Sequence, residues 1–157
     1  MARAQAPGGA SLSADPRIRA AAIGDASDVA LLLDALGYPC SRDEAAERIA
    51  FVLGDQRQHL LLAEVAGHAC GMVALDMRYS FTRGADQARI TALVVLPACS
   101  RQGIGRRLLR EVESISRRAG IARIEVTSNA RRSDAHAFYH GCGYADGSRH
   151  FFKLLGD

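Results

Sequence analysis

The chain has 157 residues, of which 48% are hydrophobic and 24% charged, and a formal net charge of +3. That length fits one domain with one sizeable core, and the balance is ordinary for a soluble globular protein. No apolar run approaches the ~18 residues that a membrane span requires, and so small a net charge does not by itself imply nucleic acid.

Residues 1–15, within MARAQAPGGASLSADP, are rich in Ala, Gly, Pro and Ser and lack a signal-peptide core. They read as a flexible tail ahead of a single domain over 16–157. PRIRAAAIGDA gives a short strand near residues 17–22, and Asp25 is placed to cap the next helix. In SDVALLLDALG, Val29, Leu32, Leu33 and Leu36 recur at helical spacing, and Gly37 stops the helix. SRDEAAERIAFVL opens with Ser41 and Glu44, a capping box, and predicts a second helix.

HLLLAEVAGHACGMVALDMRY predicts a hairpin: a strand to Val65, a turn at Ala66-Gly67, and a return strand from Cys70 to about Met77. RITALVVL is apolar and β-branched, as a strand covered on both faces would be. Beyond a glycine loop, Ile104, Leu108, Val112, Ile115 and Ala119 stripe one side of a helix that Gly120 ends. ARIEVTS predicts a further strand, and SDAHAFYHGCG a short helix ending at Gly141 or Gly143. YADGSRHFFKLL predicts a closing hairpin around Asp146-Gly147. The order is β-α-α-β-β-β-α-β-α-β-β, a mixed α/β layer structure without an internal repeat.

The four cysteines, Cys40, Cys70, Cys99 and Cys142, form no C-x-x-C pair and are expected to be reduced thiols in a cytosolic protein. Charge is uneven. Residues 100–132 hold nine arginines against Glu111, Glu113 and Glu125, an excess that suits an anionic ligand as well as a solvated helix face.

The stretch VVLPACSRQGIGRRLL, residues 94–109, decides between them. The first N–H groups of a helix have no internal partner, the helix dipole adds positive potential, and glycine lets a ligand approach the backbone. Gly103 and Gly105 stand where the helix begins, with Arg101 and Arg106 beside them, which makes an anion cradle. A P-loop is excluded because the loop has no lysine. A dinucleotide fingerprint lacks its third glycine, since Leu108 stands there. Glu125 does lie about twenty residues on, as that motif wants. The approach from Val95 to Gly103 is nevertheless too long for its tight turn, and the chain after Glu125 too short for a doubly wound sheet.

LVVLPACSRQGIGRRLL followed by NARRSDAHAFYHGCGY resembles the GNAT superfamily of N-acetyltransferases. There a strand ending V-x-P leads to Q/R-x-x-G-x-G/A at a helix start, and a later N-x-x-(A)-x-x-F/L-Y-x-x-x-G-F/Y comes after it. Ser100 stands where that family has Gln or Arg, a small departure if main-chain N–H groups hold the phosphates. The resemblance covers about residues 17–155 and implies a mixed sheet of about seven strands in the β-α-α-β-β-β-α-β-α-β-β order.

It also implies acetyl-CoA as co-substrate, no metal, and direct attack of a primary amine, of a small molecule or a peptide, in a ternary complex. Leu93, Val94 and Val95 would pair with the pantetheine arm. Arg101, Gln102, Gly103, Ile104, Gly105 and Arg106 would wrap the pyrophosphate, and Asn129 would bond the cofactor arm. Tyr139 would be the general acid for the CoA thiolate, with Phe138 and Ala135 facing the core. His136, one turn earlier, is expected on the surface. Strand four has no carboxylate in its body, so Glu125, Asp76 at the end of strand three, or a water chain would take the amine's proton.

Gly37, Tyr38 and Pro39, the loop 78–84 with Tyr79 and Phe81, and the last hairpin would wall the acceptor pocket. The resemblance further implies a cytoplasmic enzyme, with neither nucleic acid nor membrane as partner, and a homodimer through the late strands. A CoA-binding regulatory module without catalysis is the alternative. An arginine-rich nucleic-acid binder is a third reading, against which stands the lack of any helix-turn-helix, zinc-finger or aromatic RNA-binding motif.

Overall fold

The computed structural model describes residues 15–127 and 133–156. These form two compact units that divide between Glu125 and Val126. Among the described residues there are five strands and four helices: β1 (Arg17–Ala20), α1 (Ala26–Leu36), α2 (Arg42–Leu53), β2 (Gln58–Val65), β3 (His68–Ser80), β4 (Ala85–Val95), α3 (Ile104–Arg118), β5 (Ile124–Val126) and α4 (Ser133–Gly141). The sheet runs β1-β2-β3-β4-β5. The first three pairs are antiparallel, and β4 reaches β5 through α3, the kind of crossover that joins parallel neighbours.

Local chemistry fixes the element ends. Gly37 takes φ 105° and closes α1, with Tyr38 N–H bonded to Leu33 C=O at 2.8 Å. The capping box forms at α2. Glu44 N–H bonds Ser41 Oγ at 3.0 Å, and Ser41 N–H bonds Glu44 Oε1 at 2.8 Å, which holds the Glu44 carboxyl below its usual range. Ala66 and Gly67, at φ 53° and 84°, make the two-residue turn between β2 and β3. Asp25 departs from expectation: its side chain makes no cap bond to α1. It accepts instead from Ala22 N–H and, through both oxygens, from the Arg19 guanidinium at 2.8 and 2.9 Å. Arg19 also reaches Glu64 on β2 at 2.6 Å.

The expected seven strands are corrected to five among the described residues, and the order departs from expectation after the fourth helix. Residues 144–156 form no strand. Only Tyr144 and Ala145 lie between Gly143, at φ 93°, and the expected turn, too few for a hairpin arm. Asp146, the expected turn residue, bonds His140 Nε2 at 2.8 Å instead. β3 and β4 are longer than their apolar runs suggested, so residues 78–80 are strand rather than loop, and Asp76 lies within β3, not at its end.

The sheet is covered on both faces. Val29 and Leu32 of α1 and Ala45 and Ile49 of α2 cluster with Leu62 and Met72 on one face. On the other, Ile104, Leu108, Leu109 and Val112 of α3 are buried, each worth about 1.5–3 kcal/mol on transfer from water. The expected stripe shifts at its end. Ser116, not Ala119, takes the buried position, its hydroxyl donating to Val112 C=O at 2.8 Å.

Gly71 of β3 is where α3 comes closest. A Cβ there would stand 3.1 Å from Ile104 Cγ2 and 3.3 Å from both Leu108 Cδ1 and Val94 O. Gly71→Val should therefore destabilise the fold by about 1–3 kcal/mol, read as a lower urea midpoint. The Asp25 carboxyl is held below its ordinary 3.8, first by the Arg19 hydrogen bond and also by Ala22 N–H. Its contribution to stability is complete above 3.8 and is lost as pH falls below that value through the lowered folded one. Asp25→Asn should accordingly flatten this part of the acid limb when urea midpoints are compared between about pH 5 and pH 3.

Candidate active site

The loop between β4 and α3 is built by short-range bonds. Pro97–Cys99 make one 3₁₀ turn, in which Cys99 N–H bonds Leu96 C=O at 2.9 Å. Ser100 closes it, its Oγ donating to Pro97 C=O at 2.9 Å. Two left-handed residues come next, Arg101 at φ 64° and Gly103 at φ 75°. Alternation of this kind turns successive main-chain N–H groups to one side, the concavity that binds anions.

Arg101, Gln102, Gly103 and Arg106 are exposed, and Gly105 is half-buried. Ile104 is the exception among the expected ligand residues, because its side chain is buried against Gly71. It anchors the loop and leaves its main-chain N–H in the first helical turn. Among the described residues, Arg107 N–H is the first in the helix to find a main-chain partner, Gly103 C=O at 3.0 Å. The groups before it are those that a helix cannot satisfy internally.

Leu93, Val94 and Val95 end β4 opposite Val73, Met72 and Gly71, and all three are half-buried. The ladder is interrupted just before them. Ala74 pairs with Ala92 and Leu75 with Ile90, so Thr91 is an extra residue in a β-bulge. Met72, Ala74 and Asp76 alternate onto the face that α1 and α2 cover. That face turns polar beside the bulge. Gln58, Asp76 and Arg89 stand in register across β2, β3 and β4. Arg89 reaches Glu125 on β5 at 3.7 Å, and Arg123 donates to Glu125 at 3.2 Å. Asp76 pairs with Arg78 at 2.7 Å.

Tyr139 lies on α4 in the second unit. It is half-buried and packs edge-on against Phe138, ring centres 5.5 Å apart, and against Tyr144 at 5.9 Å. Ala135, His136 and Phe138 are half-buried as well, so the expected division between a core-facing Phe138 and an outward Tyr139 is not sharp. Asn129 lies outside the described residues. Tyr38, Tyr79 and Phe81 are exposed.

Cys70 is buried, and its thiol is pushed up to about 12, first by burial and then by a hydrogen bond with Cys99. It is a structural thiol, not a nucleophile. Among the described residues no group of three His, Cys, Asp or Glu side chains is arranged to hold a metal ion, and no helix is long and apolar enough to cross a membrane.

Sequence reasoning missed Gly71, Thr91 and Arg89. A glycine inside a strand does signal close approach of another element. The bulge and the polar row depend on register, which no single strand carries.

The profile of the acetyltransferase (GNAT) family matches residues 29–144. The chain belongs to that family, whose domain is an acyl-transfer fold and whose members use acetyl-CoA. An aminoalkylphosphonate N-acetyltransferase of Salmonella typhimurium is 35% identical to it over 125 residues, 80% of this chain and 79% of that protein. The type 1 aminoglycoside N(6′)-acetyltransferase of Stenotrophomonas maltophilia is 28% identical over 142 residues, 88% and 92% of the two chains. A crystal structure of a GNAT family acetyltransferase from Staphylococcus aureus shares the fold, with a TM-score of 0.77 at 24% identity over 90% of this chain and 99% of that one.

Gly103 has open space around its Cα, so its requirement is conformational alone. Gly103→Ala should cost about 1 kcal/mol in urea unfolding and weaken coenzyme A binding measured by calorimetry, since the left-handed turn is strained once a Cβ is present.

Proposed function

We propose that this protein is an acetyl-CoA-dependent N-acetyltransferase of the cytoplasm, acting on a primary amine of a small molecule or a peptide by direct attack in a ternary complex. The observation that carries the reading is the loop after β4. Arg101 and Gly103, both left-handed, turn main-chain N–H groups outward at the start of α3. Such a cradle suits the diphosphate of coenzyme A, and Arg101, Gln102 and Arg106 add exposed polar and cationic side chains.

The arm then lies along Leu93, Val94 and Val95 of β4, pairing as an added strand would, and Asn129 bonds it further on. The thioester reaches the Thr91 bulge. The bulge leaves Thr91 without an opposite residue in the β3–β4 register. The Thr91 N–H can donate to the thioester oxygen as negative charge builds there.

In the reaction the amine nitrogen attacks the thioester carbonyl carbon, the C–S bond breaks, and the thiolate leaves. Tyr139 gives that sulfur its proton, and Glu125 takes the proton released from the amine. Alignment of amine and thioester supplies much of the remaining rate. The relatives named for aminoalkylphosphonates and aminoglycosides support small-molecule amines as acceptors. Phe151, Phe152, Leu154 and Leu155, 80–90% exposed, support association of two copies as a homodimer.

Tyr139→Phe should lower kcat by about a hundredfold while calorimetry shows unchanged coenzyme A affinity. Unchanged turnover would remove Tyr139 from the chemistry. If the wild-type protein binds coenzyme A but acetylates no amine, the regulatory module replaces the enzyme. No binding at millimolar coenzyme A would overturn the proposal as a whole.

A further inference from the structure

Cys70 stands at a break in the ladder between β2 and β3. Ala63 pairs with Gly71 and Glu64 with Ala69, so Cys70 has no opposite residue and is the extra residue of a second β-bulge. Ala69 and Met72, three apart, both pack in the cluster under α1 and α2, so strand alternation slips between them. The slip leaves Cys70 beside Gly71, on the side of the sheet where α3 packs. The main chain brings Cys99 to the same place. Leu96 N–H bonds Cys70 C=O at 2.8 Å, and Cys99 N–H bonds Leu96 C=O at 2.9 Å. These two bonds fold the 97–99 turn back over Cys70, and the two thiols meet in a hydrogen bond. Cys70 is buried and Cys99 half-buried, so Cys99 is the member that a dissolved molecule reaches.

The acetyl-transfer chemistry employs neither thiol. Their position bears on it all the same. Cys99 lies just before the left-handed residues Arg101 and Gly103. Cys70 is the neighbour of Gly71, against which Ile104 settles at the start of α3. A change in the distance between the two sulfurs therefore acts on both ends of the segment that turns main-chain N–H groups outward.

We propose that Cys70 and Cys99 form a redox site that a hydroperoxide converts to a disulfide, and that this bond weakens the grip of the β4–α3 loop on coenzyme A; the second half rests on the acetyl-transfer reading. The Cys99 sulfur attacks one oxygen of the hydroperoxide, the O–O bond breaks, and the other oxygen leaves with the thiol proton, as water when the oxidant is hydrogen peroxide. Cys99 then carries S–OH. The Cys70 sulfur displaces that hydroxyl, the S–S bond forms, and the hydroxyl departs with the Cys70 proton as water. Two electrons pass from the thiols to the peroxide. Burial keeps Cys70 from reacting first, and contact with Cys99 makes it the resolving thiol. Part of what holds the Cys70 thiol up is the Cys99 thiol itself, which oxidation removes. The new bond is ~2 Å long, shorter than a hydrogen bond between thiols. Its formation draws the 97–99 turn toward β3 and carries Arg101 and Gly103 with it.

The experiment treats the reduced full chain with hydrogen peroxide and follows intact mass, peptide maps and coenzyme A binding by calorimetry. The mass should fall by that of the two hydrogens lost, with one cross-linked peptide joining Cys70 to Cys99. The Kd for coenzyme A should rise about tenfold and return with dithiothreitol. Cys99→Ser should form no such peptide, and its Kd should not respond to peroxide. Should that variant fail to fold, the wild-type peptide map and the reversal by dithiothreitol still decide. A chain that stays reduced, pairs other cysteines, or stops at a sulfinic acid on Cys99 sinks the redox site. A Cys70–Cys99 disulfide that leaves the Kd unmoved sinks its hold on the loop and leaves acetyl transfer standing. If the reduced protein binds no coenzyme A, acetyl transfer itself falls, and the cross-linked peptide alone decides the redox site.

Discussion

The contact on which the loop between β4 and α3 depends is that of α3 with β3 at Gly71. Because this residue has no Cβ, Ile104 and Leu108 settle directly on the strand, with Val94 C=O beside them. Ile104 is the first residue of α3, so this packing fixes where the helix begins and which way its first N–H groups point. Close-packed side chains transmit small displacements, and a helix lifted by one methyl group would carry its N-terminus with it. The left-handed residues Arg101 and Gly103 are the other half of the constraint. They bring the chain from the end of β4 into that helix start, and Ser100, bonded back to Pro97, sets the direction of entry. The strain of a non-glycine left-handed residue is thus borne within a segment tied down at both ends.

A second constraint divides the opposite face of the sheet. As far as Ala74 and Ala92 the residues are apolar or small and lie under α1 and α2. With Thr91 the register slips by one residue, and the next row is Gln58, Asp76 and Arg89. Polar groups on a half-covered sheet need partners, since burying an unpaired charge costs far more than burying a paired one. Most of the row is paired. Glu125 is shared by Arg89 and Arg123, and among the described residues the Gln87 side-chain oxygen has no partner.

Much of this was legible in the sequence. Helix ends follow from Gly37, Ser41, Glu44 and Gly120, whose chemistry is local, and the β2–β3 turn follows from Ala66-Gly67 in the same way. The start of α3 was legible too, because a helix start with glycines and arginines is a short-range pattern. What escaped was whatever depends on two strands at once. Asp25 resembled a helix cap until Arg19, six residues earlier, claimed both its oxygens. Tyr144 to Leu155 has the alternation of a hairpin, but a hairpin arm needs more than the two residues left between Gly143 and Asp146. Thr91 carries no mark of a bulge, and Arg89 gains its meaning only beside Asp76 and Glu125.

The loop after β4 and the polar row of the sheet differ in the kind of group that forms them. In the loop the main chain dominates, and left-handed turns and helix N–H groups offer the same hydrogen bonds whatever the side chain. In the polar row side chains on strand faces dominate. A single substitution there changes a charge without moving the backbone, because the ladder hydrogen bonds hold each strand regardless of what projects from it. The pairing of Arg89 and Arg123 with Glu125 is built from such side chains, and what they do follows from their own chemistry rather than from the fold they stand on.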